Sequence, residues 1–443
     1  MSTRTTWDSE ALTVMEKVTV VKKNDIKTEA IAGITTFFTM AYIVVVNPAI
    51  LSTPGTGMPF SGIMTATVLL AFLMTLFMGL YAKLPFAVAP GMGINAFFTF
   101  TIILGQGVPW QHALGMVFWA GVLFILISVT PIRVAIAKAI PLGLRSASAA
   151  GIGIFLTFIG LKQSGFIVSD PVTFVKLGAL DLKIVMSLVG FGIMVWLLNK
   201  KNPLAFLVGI GVVTFLGWLA GLITPPETVF STPDFGSVFF KLDIWGALKL
   251  AYLPAIISIL FTDLFDSIST FVGVSQATGL MENGQPKNLK EGLIVDAFAT
   301  LGAGLVGTSS GTAYIESSAG IEMGGRTGLT SVFTALCFLP CFFLAPLAGA
   351  IPAFATAPVL ILVGGLMFRS VTSLPMQKLE DALPAFLTII LIPLTFSITQ
   401  GILWGFVSHV GLYLMVGRRK EVSPMLYGIA AVSIALLAIE HGK

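Results

Sequence analysis

Residues 307–330 read GTSSGTAYIESSAGIEMGGRTGLT, a glycine- and hydroxyl-rich stretch carrying Glu316, Glu322 and Arg326 between apolar runs long enough to cross a bilayer. Lipid offers no partner to free N–H and C=O groups, so irregular polar sequence at membrane depth is tolerated only where protein covers it or where it lines a cavity. The stretch is therefore expected inside a helical bundle, against a cavity.

The rest of the chain supports a bilayer setting. Of 443 residues, 56% are hydrophobic and only 10% charged, and the mean hydropathy is +0.96, whereas soluble domains carry about a quarter of their residues as charges. The chain opens on polar residues, MSTRTTWDSE, and its first apolar run begins near Ala30, unlike a cleavable signal segment. At about 20 apolar residues per span, fourteen segments are expected. They are 28–51, 61–80, 84–103, 109–130, 147–161, 184–199, 203–223, 250–275, 292–307, 312–323, 327–346, 353–368, 383–398 and 400–417.

Charge gives an independent check, because cytoplasmic loops collect Lys and Arg. With a cytoplasmic N-terminal tail, 1–27, 20 of the 25 basic residues fall on the cytoplasmic side and 5 outside. Losing one span would invert every later loop. The net charge of +4 is thus explained by topology and does not point to nucleic acid. The final stretch, 418–443, is expected on the cytoplasmic side, with its apolar part, 425–440, lying against that face; the other reading is a fifteenth span that would carry the C-terminus outside.

The mixed stretch 224–249 separates seven segments from seven. An odd number per half means that the halves enter the membrane from opposite sides, the inverted-repeat arrangement of many secondary transporters. The third segment, LPFAVAPGMGINAFFTF, and the tenth, GTSSGTAYIESSAGI, hold equivalent places and are the most interrupted by Gly, Pro and hydroxyl residues. Paired interrupted segments point to a binding site near the bilayer midplane.

Ionisable residues within spans are expensive and therefore candidates for function. In FTDLFDSISTFVG, Asp266 lies mid-span ahead of Ser267, Ser269 and Thr270, and Asp263 lies three residues earlier on a neighbouring part of the helix face. Two such carboxylates in low dielectric suit one shared proton. Glu316 has small neighbours, Gly311, Thr312, Ala313 and Ser317, that leave room for a flat ligand whose N–H groups the carboxylate would accept. Asn95 in GMGINAFF offers a donor and an acceptor to a carbonyl-bearing ring, or else a helix-to-helix hydrogen bond. Phe97 and Phe98 could stack on a ring. Thr35, Thr36 and Thr39 give the first segment a polar face towards the same cavity, and Asn47 and Pro48 shape its end.

Asp296 and Glu322 are placed nearer the cytoplasmic edge, where a structural or gating role and a coupling role both stay open. Glu29, Lys83, Glu291 and Arg326 are placed at span ends, within reach of the interface. Cys337 and Cys341 read as buried inert thiols, since two ligands make a poor metal site, and His112 and His409 read as structural. An intramembrane enzyme would need a nucleophile with a base, or a metal set, and the chain shows neither pattern.

The motifs TTFFTMAYIVVVNP, APGMGINAFF, LFDS and GTSSGTAYIESSAGIEMGGRTGLT together resemble the AzgA-like purine permeases of the nucleobase:cation symporter family, over essentially the whole chain. The resemblance implies an all-α polytopic membrane protein of the UraA-type fold. Segments 1–4 and 8–11 (28–130 and 250–346) would form a core domain, and segments 5–7 and 12–14 (147–223 and 353–417) a gate domain. It implies proton-coupled uptake of guanine or hypoxanthine, with Asp266 and Glu316 at the acidic substrate-contacting positions of segments 8 and 10. At Asp263 the family pattern has an amide or a small residue. Adenine or another nucleobase remains the alternative cargo, and an inorganic or dicarboxylic anion a more distant one. The expected partners are a purine base, membrane lipid and, as an assembly, a homodimer. No cofactor beyond the coupling proton is expected, in a multi-pass protein of the cell membrane.

Overall fold

The structure, a computed structural model, describes residues 26–130, 139–282 and 285–441. The expected N-terminal tail falls outside them apart from Ile26 and Lys27, as do the basic residues Arg133 and Lys138.

The first segment is a broken pair, α1 (Ile26–Met40) and α2 (Ile43–Leu51), followed by α3 (Phe60–Phe77). The third segment is a short strand, β1 (Val88–Pro90), running into α4 (Met92–Ala96) and a π-helical continuation, Phe97–Gly105. Next come α5 (Trp110–Val129), α6 (Leu142–Gln163), a hairpin of β2 (Ile167–Asp170) and β3 (Phe174–Leu177), α7 (Leu182–Asn199) and α8 (Ala205–Leu219). The second half opens with α9 (Leu253–Thr278), a small hairpin of β4 (Met281–Glu282) and β5 (Gln285–Pro286), and α10 (Leu289–Val306). Strand β6 (Gly311–Ala313) runs into α11 (Ser317–Glu322), and α12 (Gly328–Phe338) continues through a 3-10 turn into α13 (Ala345–Gly349). The chain ends with α14 (Ala353–Phe368), α15 (Leu379–Thr395), α16 (Ile398–Met415) and α17 (Pro424–His441). Each of the fourteen expected segments is occupied. Eight described helices are long and apolar enough to cross a membrane as single spans, and the interrupted segments fall short of that length because they are broken.

The packing repeats when the halves are exchanged. Helix α1 lies on α12 as α9 lies on α5, and α3 lies on α12 as α10 lies on α5. Helix α7 lies on α14 as α15 lies on α6, while α6 and α14 lie on each other. This is the two-repeat inverted architecture. At its α6–α14 crossing, Gly153 and Gly364 face one another: a Cβ on Gly153 would come within 2.5 Å of the Gly364 carbonyl, and one on Gly364 within 2.4 Å of the Gly153 carbonyl. Without side chains the backbones approach closely, as membrane helices do at small residues.

The interrupted segments meet at the centre. Strands β1 and β6 pair antiparallel, Val88 opposite Ala313, Ala89 opposite Thr312 and Pro90 opposite Gly311, all buried. Flanking bonds extend the pairing, from Gly91 N to Ser310 O and from Tyr314 N to Ala87 O, each at 2.9 Å. Side chains take the outward groups: Thr75 Oγ1 both donates to Val88 O and accepts from Val88 N, and Ser317 Oγ accepts from Ala87 N. Pro90, which has no N–H, sits where no further strand is added.

The stretch between the halves packs back onto the bundle. Asp234 accepts from Ser61 Oγ at 2.8 Å and its own N–H donates to Thr65, while Phe240 N donates to Leu305 O. His112 acquires a partner there, Asp243, at 3.1 Å.

The C-terminal stretch differs from expectation. Helix α17 is not laid across one face: Leu436 and Leu437 pack with Leu403 and Val407 of α16 and with Ile257 near the start of α9, and α17 also meets the 250–252 turn. Its last turns therefore lie level with the beginnings of α16 and α9, at the end of the bundle opposite the Arg419–Glu421 turn that precedes it. Eighteen residues rise about 27 Å, close to the ~30 Å of a hydrocarbon core. A helix apolar on all sides is better buried along the bundle than stretched across a wet surface.

Two outcomes follow from this packing. Gly153→Val overfills the α6–α14 crossing and is expected to destabilise by about 1–3 kcal/mol, read as a lower unfolding temperature in detergent. Gly411→Ala, where a Cβ meets nothing within 4 Å, should not lower it. In a background lacking Cys337 and Cys341, cysteines replacing Lys420 and Ala438 should react with a membrane-impermeant maleimide from opposite sides. Reaction of both from one side would return α17 to the surface.

Candidate functional site

Where β1 and β6 end, the chain turns into short helices, and beside them the first segment breaks between α1 and α2. The break places Tyr42 so that its hydroxyl donates to Glu316 Oε1 at 2.7 Å, while its ring lies against Phe206 at 4.7 Å. Thr39 Oγ1 donates to the Glu316 carbonyl at 3.4 Å. Gly91 allows β1 to approach its partner, since a Cβ there would sit 2.9 Å from Thr312 Cγ2.

Around this junction opens a cavity of about 260 Å³. Glu316, Ala313 and Thr312 line one side, Asp266, Ser269 and Thr270 of α9 another, and Gly91 to Gly93 a third. Ala149 of α6 and Val363, Leu366 and Met367 of α14 close it with a mostly apolar face. It lies below the ~300–1,000 Å³ typical of drug-sized ligands, which suits a small, flat molecule. Asp266 accepts no hydrogen bond and makes no ion pair among the described residues, so its carboxylate is available to a ligand. A second, smaller cavity of about 30 Å³ adjoins it, sharing Gly93, Ala149, Asp266, Ser269 and Met367 and adding Arg145 of α6.

Behind the Thr312 wall lies a closed network of acids and hydroxyls. Asp263 Oδ2 accepts from Ser310 Oγ at 2.7 Å and from Thr300 Oγ1, and Thr300 also bonds Ser310 at 3.0 Å. Ser267 Oγ donates to Asp296 Oδ2 and lies 3.1 Å from Thr312 Oγ1, so hydroxyls connect the cavity wall to Asp296. Asp263 and Asp296 are fully buried, and Oδ1 of each has no hydrogen-bond partner. An unsatisfied buried oxygen carries a full desolvation penalty, so such an arrangement calls for a compensating function.

Of the residues singled out in the sequence, Glu316, Asp266, Ser269, Thr270, Thr312 and Ala313 line the cavity together. The others do not. Asp263 is in the buried network. Asn95 Oδ1 accepts from Ser309 Oγ, the helix-to-segment bond that was its other reading. Phe97 and Phe98 are packed in the core with no exposed surface. Thr36 lies under α11, 2.1 Å from where a Cβ on Gly320 would be, and Ser317 is occupied with the β1 backbone.

Other placements also change. Asp296 is a member of the central network, not an edge residue. Glu29 is fully buried, accepting from Thr330 Oγ1 and from Arg326 N at 3.2 Å. Asn47 ties α2 to Thr67 and Thr308 at 2.7 and 2.9 Å, well inside the bundle. Glu322 does sit at an exposed margin, 3.7 Å from Lys201.

Tyr42 was the main omission. Its signal was present: Thr35, Thr39 and Tyr42 fall at i, i+4 and i+7, one face of a helix. Ala149 and the α14 residues carry no such mark, because only the meeting of distant segments gives them a cavity to face.

The family model Xan_ur_permease, described as a permease family, matches residues 27–403. The chain is 40% identical to the adenine permease AdeP of Escherichia coli over 92% of each chain. It is 38% identical to the guanine/hypoxanthine permease PbuO of Bacillus subtilis, over 94% of this chain and 98% of that one. Among solved structures, the transmembrane domain of the cyanobacterial bicarbonate transporter BicA superposes with a TM-score of 0.66 at 18% identity, covering 87% of this chain and 98% of that one. That likeness concerns the fold alone.

Removing one donor from the buried network should be felt in stability. Ser310→Ala strips Asp263 of a hydrogen bond in full burial and is expected to destabilise by about 1–3 kcal/mol. Thr270→Val, on the open cavity wall, should stay within about 0.5 kcal/mol. Thermal unfolding of the two variants side by side measures the contrast.

Proposed function

The chain belongs to the Xan_ur_permease permease family, and from that premise we propose that it is a secondary active transporter for purine nucleobases, taking up hypoxanthine and guanine with a proton. One observation carries the reading: Glu316 and Asp266, from different segments, face a single small cavity whose remaining walls are mostly apolar. An ionised carboxylate only accepts hydrogen bonds, whereas a protonated one also donates. The N–H groups of an oxopurine are therefore matched by Glu316 and Asp266, while Met92, Met367 and Val363 are suited to its ring faces. An anionic cargo would meet two acids and is disfavoured.

Glu316 and Asp266 are the substrate-contacting residues in this scheme, and one of them exchanges the proton. Asp263, joined to the cavity through Ser310, Thr300, Asp296, Ser267 and Thr312, holds a coupled proton behind the wall. Residues 28–130 with 250–346 act as the core, and 147–223 with 353–417 as the gate. Relative movement of the two opens the cavity to one side and then the other. The acids ride on the core, and Ala149, Val363, Leu366 and Met367 on the gate, so the site is complete only when the two bodies meet.

A second reading, adenine as cargo, is favoured by the 40% identity to AdeP. Adenine presents an acceptor nitrogen beside an amino donor and so fits a carboxyl that carries its proton, which the same two residues could supply.

Uptake of labelled hypoxanthine by cells lacking their own purine permeases tests both readings. Protonophore should abolish accumulation and guanine should compete, with adenine and uracil much weaker. Competition by adenine alone would transfer the assignment to the second reading, and uptake indifferent to protonophore would remove the coupling claim. Glu316→Gln and Asp266→Asn are each expected to lower uptake about ten- to a hundredfold, from ~1.5–3 kcal/mol for a hydrogen bond to a charged group. Tyr42→Phe, which frees the Glu316 oxygen it now occupies, should weaken apparent affinity by less than either.

A further inference from the structure

Arg145 is unused by the scheme above. It lies in the first turn of α6, and its Nε is buried without a hydrogen-bond partner. It makes no ion pair among the described residues. The residue, half-buried as a whole, lines the small cavity of about 30 Å³, and the acid lining that same cavity is Asp266, which also has no partner among the described residues. The two come from opposite bodies, since α6 packs with α14 and α15 while α9 packs with α5 and α10. Two opposite charges thus face a space the size of a water molecule at the seam between those bodies.

Each charge is expensive by itself in such a setting, because burying an unpaired ion costs far more than burying a paired one. Arginine cannot relieve the cost by losing its proton. A carrier that brings in a base with a proton must afterwards return empty, and Asp266 is then left without the ligand donors or proton that satisfied it. We infer that Arg145 is the counter-charge for Asp266 in the empty carrier, screening the carboxylate while the two bodies pass through their closed contact. The inference rests on the proposed uptake of purines with a proton and assigns to Arg145 a step in which no purine is bound. It predicts a residue needed for resetting and dispensable for carrying the base itself.

Reconstituted vesicles separate those steps. Net uptake of labelled hypoxanthine into empty vesicles under an inward proton gradient requires the empty return, whereas exchange against hypoxanthine loaded inside does not. Arg145→Gln should lower net uptake about tenfold or more, the effect of ~1.4 kcal/mol on a barrier, while exchange stays within about twofold of wild type. Arg145→Lys, which keeps the charge, should recover much of the net uptake. Retained exchange also shows that the Gln variant is folded. Net uptake persisting in Arg145→Gln overturns the inference, and so does parallel loss of both activities, which would mark a structural or binding role. If the wild type moves hypoxanthine in neither mode, the purine reading fails and this inference fails with it; if it moves hypoxanthine in both, only the behaviour of Arg145→Gln is at issue.

Discussion

The pairing of β1 with β6 is the constraint on which the rest of the bundle depends. Two extended segments in the middle of a membrane protein would expose N–H and C=O groups that lipid cannot satisfy, at several kcal/mol per group. Here each segment supplies the other's partners over Val88 to Pro90 and Gly311 to Ala313, and hydroxyls of Thr75 and Ser317 take what remains. The pairing also fixes geometry: it ends both segments at the same depth, and each resumes as a short helix. The space between those two restarts is the cavity.

Symmetry and asymmetry divide the labour in this arrangement. Exchange of the halves preserves the helix contacts, but the polar residues do not follow it. Acids are concentrated in the second half, Asp263, Asp266, Asp296 and Glu316, and the first half answers with Tyr42, Asn95 and Thr75. The result is a site with one acidic side and one mostly apolar side, rather than two equivalent half-sites. Behind it, Ser267 links Thr312 to Asp296 while Ser310 and Thr300 bond Asp263, so two further acids stand outside the cavity lining, close behind its wall.

Several residues illustrate how far local sequence reaches. Asp266 and Glu316 were recognisable because a carboxylate in an apolar run has few benign explanations. Asn95, Phe97 and Thr36 were equally visible but lie outside the cavity lining, Asn95 bonded to Ser309 and Phe97 and Thr36 buried, since an amide, a ring or a hydroxyl in a span is satisfied as readily by a neighbouring segment as by a ligand. Asp296 and Glu29 were misjudged from distance along the helix: burial depends on what packs outside a residue, and Ser267 of α9 lies against Asp296 as Thr330 of α12 lies against Glu29. For α17, a short apolar run beyond the last expected span reads as a surface helix ahead of one more crossing, because its length falls short of a span, until its neighbours are known.

The sequence alone determined the membrane setting, the fourteen segments, the opposed halves and the pairing of the third and tenth segments in position. Each of those follows from periodicity, apolar length or charge, which are local quantities. It also marked Glu316, Asp266, Thr312 and Ala313, because polar atoms and missing bulk are conspicuous among Leu, Ile and Phe. Only the tertiary structure decided that Tyr42 holds Glu316, that Asp263 and Asp296 share a closed network, and that Arg145 meets the same small space as Asp266. Those relations join residues up to 274 positions apart, and no local pattern encodes which faces of distant helices will be brought together.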